Sequence, residues 1–201
     1  MRKILSLATL SLALAASAFA ADTYKIDPNH SSANFAVRHM GINTVHGRFT
    51  QVGGDIALDE ANPANSKVSA DIKTASITTD VAPRDKHLKS PDFFDVEKYP
   101  EIKFESTKIE KRGDQWVAIG NLTMKDVTKQ VELPFEYSKG KMGPREEVGI
   151  TATMKLNRED YHVNWSKTVE GVAMVGDDVT IEINLEAAKQ APAAAGAATG
   201  K

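Results

Sequence analysis

The chain has 201 residues and no cysteine, which excludes disulfides, thiolate nucleophiles and cysteine-ligated metals. A fold without such links must be held by its core and by backbone hydrogen bonds. A dominant charge is missing too: 25 Lys and Arg stand against 27 Asp and Glu. That balance offers no basic face of the kind nucleic acid requires, so nucleic acid is not an expected partner. No apolar run reaches the roughly 20 residues of a spanning helix, and stable membrane insertion is not expected either. There is no G-x-S-x-G elbow, no P-loop and no G-x-G-x-x-G. The five histidines, His30, His39, His46, His87 and His162, show neither H-x-H nor H-E-x-x-H spacing. The sequence therefore predicts no enzyme: no catalytic residue, no metal and no cofactor.

What is present begins with a leader. Arg2 and Lys3, the apolar stretch Ile4 to Ala16 and the small-x-small site Ala18-Phe19-Ala20 read as a cleavable export signal over residues 1–20. With no cysteine after that stretch to carry a lipid, the expected destination is the periplasm as a soluble protein. Without Arg2 and Lys3 the basic count falls from 25 to 23 against 27 acidic residues. Residues 21–187 are long enough for one domain with a substantial core. Residues 188–201 are Ala/Gly-rich, without periodicity or bulk, and read as a disordered tail.

Between these ends, apolar and polar residues alternate with a period of two. Val131, Leu133, Phe135 and Tyr137 form one series; Ile150, Ala152, Met154 and Leu156 a second; Val179, Ile181, Ile183 and Leu185 a third. Period two is the strand period, giving each segment one apolar and one wet face. Many such strands with no long amphipathic helix predict an antiparallel sheet that curls to hide its apolar side. The other predicted strands are 23–27, 32–39, 45–51, 55–59, 67–73, 101–108 and 115–124, with 127–137, 147–156 and 177–186 carrying the three series. Gly53-Gly54 reads as a bulge or bend, and Ser138 to Pro144 as a loop. From Thr78 to Pro100 alternation stops. Thr79 or Asp80 is placed to cap a short helix through about Leu88, with a second helical turn at Ser90-Pro91-Asp92. The fold class is thus all-β, a closed antiparallel barrel of about eight strands with one or two short helices.

Several marks occur in a fixed order: Asp27-x-x-His30-Ser31, Phe35-x-Val37-x-His39, Gly47-Arg48-Phe49, Arg84-Asp85-x-His87-Leu88, Ser90-x-Asp92-Phe93-Phe94-Asp95, Tyr99-Pro100, Phe104-x-Ser106 and Gly120-x-Leu122-Thr123-Met124-x-x-Val127-Thr128. Together they resemble the YceI-like family over about residues 22–187. The resemblance implies a lipocalin-like barrel, exported, that holds a polyisoprenoid or similar long amphiphile, an isoprenoid quinone included, in its interior.

Alternation alone does not decide between a hollow interior and a solid one in which large and small residues interdigitate. If it is hollow, the inward positions that would contact an apolar guest are Phe35, Val37, Phe49, Phe104, Trp116, Leu122, Met124, Leu133, Phe135, Ala152 and Met154. The thioethers of Met124 and Met154 suit an irregular guest, or equally fill core. His39, at a strand end, either meets a head group or bonds loop backbone. Trp165 lies in an irregular stretch where its indole N–H is available to line a mouth. Asp85, His87, His30 and Ser31 are expected to fix local structure. Two rival readings remain open: an interaction or stress-response module with no lipid, and a lipid-processing enzyme. A homodimer is compatible with the sequence.

Overall fold

A computed structural model describes residues 21–191; the export signal expected over 1–20 and most of the tail expected over 188–201 lie outside them. In chain order the strands are β1 (Asp22–Ile26), β2 (Ser32–His39), β3 (Asn43–Phe49), β4 (Val52–Leu58), β5 (Lys67–Lys73), β6 (Ile77–Thr78), β7 (Glu101–Arg112), β8 (Gln115–Met124), β9 (Val127–Met142), β10 (Arg145–Asn157), β11 (Thr168–Val169), β12 (Val172–Ala173) and β13 (Val175–Lys189). Among the described residues there is one α-helix, α1 (Ala82–Lys89).

The sheet closes. Strands β1, β4, β5, β7, β8, β9, β10 and β13 follow one another around the wall, each antiparallel to its neighbour. The ring is sealed by Tyr24↔Lys189, Lys25↔Ala188 and Ile26↔Ala187. Over its earlier length β13 pairs with β2 instead, from Val175↔His39 to Asn184↔Ser32. So β1 and β2 share one edge of β13, on either side of a turn at Pro28–His30. Asp27 and Ser31 bind the turn to that strand: the Asp27 amide donates to the Glu186 carbonyl at 2.8 Å, and the Ser31 hydroxyl exchanges bonds with the Glu186 backbone at 3.1 and 3.3 Å. β3 pairs with β2 and β4 with β1, and β6 extends the β3 edge through Arg48↔Thr78 and Phe49↔Ile77.

Closure by hydrogen bonds suits a chain without disulfides, because a closed barrel leaves few free strand edges. Local chemistry places the tight points. Gly54 has φ +136°, and a Cβ there would lie 2.1 Å from the Ser69 carbonyl oxygen. The expected bulge at Gly53-Gly54 is therefore a close approach of β4 to β5 within an unbroken strand. β7 has an irregular step between Ser106 and Lys108, which turns Ile109 inward beyond it.

Other boundaries also differ from expectation. The loop expected at Ser138 to Pro144 is mostly strand, since β9 and β10 stay paired to Met142↔Arg145. That hairpin end is exposed on both faces, so no alternation marks it. β13 runs to Lys189 rather than ending near Glu186, with Ala187 and Ala188 buried in the seam. The helix begins at Ala82, after Asp80 at φ +60°, and its N-cap residue Val81 makes no side-chain bond. Ser90-Pro91-Asp92 forms turns rather than a second helix.

Candidate ligand-binding lumen

The barrel is hollow. Its main chamber leaves about 120 Å³ in which a water-sized sphere can be centred, and a second chamber leaves about 90 Å³. A single water needs only about 10–15 Å³ by that measure. The solid-core alternative is excluded by this space. It also explains why Phe35, Phe104, Leu122, Leu133 and Met154 are half-buried although they point inward: they face empty volume.

Each strand contributes by parity. β2 gives Ala33 and Phe35; Phe49 ends β3 and Val52 opens β4; β5 gives Val68, Ala70 and Ile72; β7 gives Ile102 and Phe104. β8 gives Ala118, Leu122 and Met124, β9 gives Val131, Leu133 and Phe135, and β10 gives Ile150, Ala152, Met154 and Leu156. β13 completes the wall with Ile181, Ile183 and Leu185. Val37 lies one step further along β2 and lines the second chamber. Ten of the thirteen expected contact residues thus line one chamber or the other.

Three do not. Trp116 belongs to a plug at one end of the barrel, where its ring packs 6.0 Å from Phe135 and edge-on 5.3 Å from Tyr137. It lies near the β7–β8 turn, beyond the hollow part, so its inward face meets other side chains. His39 shares the face of Phe35 and Val37 but lies past the chambers, where β2 pairs Asn43 and Val175 at the turn into β3. Trp165 lies against Phe93 at 5.3 Å and edge-on to His87 at 5.1 Å; it supports the cover of the second chamber without lining it.

The plug is reinforced by charge. The Tyr137 hydroxyl donates to Glu60, whose carboxylate also meets Lys139 Nζ at 2.8 Å. Burial, and then the Glu60 carboxylate, push the Tyr137 phenol up to about 12. The hydroxyl thus stays a donor at neutral pH.

Beyond the other end of the main chamber lies the second, covered by segments without alternation, which is why sequence periodicity missed them. Leu88 of α1, Phe93, Phe94, Val163, Val175, Val179 and Arg158 form its walls with Val37. α1 has no fully buried residue, and polar bonds hold its start in place. Asp85 accepts from the Thr78 hydroxyl and the Thr79 amide, both at 2.8 Å, and from the Thr79 hydroxyl at 2.5 Å. Burial pushes the Asp85 carboxyl up, but the bonds from Thr79 and Thr78 outweigh it and hold the group below its ordinary value. Arg84 donates to the Thr79 hydroxyl at 2.7 Å and its carbonyl at 3.0 Å. His87 pairs with Asp92 at 2.7 Å and packs edge-on against Phe93.

Arg158, only 4% exposed, is the charged residue of the second chamber. Its donors are used on the protein: Nε to the Gly176 carbonyl, Nη1 to those of Val163 and Trp165, and Nη2 to the Val175 carbonyl and Asp177. It ties the segment after β10 to the start of β13. Among the described residues, the single polar wall residue of the main chamber is Asn34, whose amide donates to Ser32. No group of three or more His, Asp or Glu side chains suited to a metal ion occurs among the described residues. Chemically, these walls can exclude water and pack hydrocarbon.

The YceI-like domain model matches residues 24–187. The chain belongs to the YceI-like family. A UPF0312 protein of Photorhabdus laumondii is 39% identical over 169 residues, covering 80% of this chain and 86% of that one. Protein YceI of Escherichia coli O157:H7 is 35% identical over 193 residues, covering 94% and 98%. Among solved structures, the YceI protein of Campylobacter jejuni superposes with a TM-score of 0.65 at 29% identity, over 77% of this chain and 90% of that one. A polyisoprenoid-binding domain of Saccharophagus degradans, implicated in plant cell wall breakdown, shares the fold with a TM-score of 0.63 at 13% identity, over 83% and 98%. Of the YceI-like marks in the sequence, Phe35 and Phe104 lie on the lumen walls and Phe93 and Phe94 over its second chamber.

Proposed function

We propose that this protein is a non-catalytic carrier that holds a polyisoprenoid, or a similar long amphiphile such as an isoprenoid quinone, inside the barrel, and that it acts in the periplasm after export. One observation carries the reading: an apolar-walled hollow runs through two adjoining chambers of a closed barrel. The polyisoprenoid-binding neighbour of the same fold supports it, as does the leader-like sequence of residues 1–20. An apolar chain gains about 0.8 kcal/mol per buried CH₂, so affinity requires no polar contact along the walls. A head group would find little there, since the Arg158 donors are already taken.

Mass spectrometry of an organic extract of the purified protein tests the reading. A prenyl compound in near-stoichiometric amount is the expected result; an extract without lipid favours the interaction-module reading. The variant Met154→Lys places an ammonium on the main-chamber wall and should lose the lipid while circular dichroism stays that of the wild type. Wild-type lipid content in that variant would mean that the chain is held elsewhere.

A further inference from the structure

The two chambers share Phe35, Phe49, Met124, Leu156 and Ile181 as walls, and these five form the waist between them. Phe35 pairs across the ladder with Gly47 of β3. A Cβ at Gly47 would fall 2.2 Å from Phe35 Cζ, 2.7 Å from its Cε1 and 2.8 Å from Thr79 Cγ2. The ring therefore lies in the space that any other residue at position 47 would occupy. It is laid back against β3, with Phe49 behind it at 6.0 Å between centroids.

Phe104 and Gly120 repeat the device on β7 and β8, with 2.7 and 2.8 Å from the hypothetical Cβ to the ring. There, however, the Glu105 carbonyl oxygen also stands 2.5 Å away, so the backbone itself demands glycine. At Gly47 only side-chain ends are in the way, and no left-handed φ requires glycine. The missing side chain at 47 serves the position of a ring.

We propose that the Phe35–Gly47 pair is the gate of the waist: by holding the ring off the lumen axis it joins the two chambers and sets the longest apolar chain the protein accepts. This rests on the carrier reading above. With alanine at 47 the ring has to leave β3. Thr79 Cγ2 crowds the same new methyl and Phe49 stands beside the ring, so the ring swings into the waist that it lines. A chain long enough to span both chambers is then excluded, and one that fits the main chamber is not. Each methylene kept out forfeits a factor of roughly four in affinity.

The test compares farnesol, a short prenyl alcohol, with solanesol, a long one, by native mass spectrometry of the full mature chain. Wild type is expected to prefer solanesol. Gly47→Ala should weaken solanesol by about tenfold or more, the loss of as few as two methylenes, with farnesol nearly unchanged. Adding Phe35→Leu to Gly47→Ala should restore solanesol. If Gly47→Ala does not fold, Ile181→Phe, which adds bulk at the waist beside Phe35, its ladder neighbour on β2, carries the same expectation. A wild type that takes up neither alcohol overturns the carrier reading and the gate with it. A wild type that prefers solanesol, with that preference intact in the folded variant, overturns the gate alone.

Discussion

Single residues divide into those whose role follows from strand parity and those whose role depends on the company they keep. Phe104, Leu122, Leu133 and Met154 face the lumen because every second residue of a strand does. Trp116 obeys the same parity and still lies outside the chambers, because the plug with Phe135 and Tyr137 fills that end. Arg158 carried no signal at all: an arginine after a strand is ordinarily a surface residue. Here its guanidinium satisfies four backbone carbonyls and Asp177. Arg158→Met should therefore cost about 3 kcal/mol or more in urea unfolding, since buried acceptors are left unpaired. Arg158→Lys should recover little of it, as an ammonium cannot reproduce the planar fork. A loss below about 1 kcal/mol for the methionine variant would show that water replaces the arginine without penalty.

Among the elements, the strands and the short helix ending near Leu88 were legible, but what holds that helix in place was not. α1 has neither a fully buried residue nor a side-chain N-cap, so little in its own composition commits it to helix. Asp85 supplies the missing constraint from within the first turn by binding back to Thr78 and Thr79. Asp85→Ala should raise amide exchange over residues 82–94 while β8 to β10 stay protected. The pH dependence follows from sign. A carboxyl whose folded pKa is depressed stabilises the folded form above its unfolded value, near 3.8, and loses that contribution as pH falls through the folded one. Wild-type protection of α1 should thus hold through mildly acidic pH and fail only below the ordinary carboxylate range, whereas Asp85→Ala should lack that acid step. An identical acid profile in the two proteins would remove Asp85 from the account.

The whole barrel depends on a seam between residues far apart in the chain: Tyr24, Lys25 and Ile26 of β1 against Ala187, Ala188 and Lys189 of β13. The alanines let the strands meet with little bulk, and Lys189 is clasped by Asp22 and Glu146, each at 2.9 Å. A composition that reads as the start of a tail is thereby drawn into the wall. An apolar guest held inside such a ring binds the folded state alone, so it should stabilise that state. Solanesol at about 100 times its dissociation constant should add about 2.7 kcal/mol, or roughly 5–10 °C in Tm for a chain of this size. Scanning calorimetry of the delipidated protein with and without the alcohol reads this directly, and an unchanged Tm at saturation would place the ligand outside the folded core.

The amino-acid order was enough to specify most strands, their inward faces and the all-β class, because side-chain parity and turn chemistry are local properties, and its ordered marks carried the resemblance to the YceI-like family. It left open whether the interior is full or hollow, since the same mix of large and small residues serves either. Three-dimensional packing decided that by setting the Phe35 and Phe104 rings over glycines on neighbouring strands. It also decided the second chamber, where Leu88, Phe93, Phe94 and Val163 from segments without periodicity close over the strand walls, and the closing of β13 on β1, which joins ends that no local pattern connects.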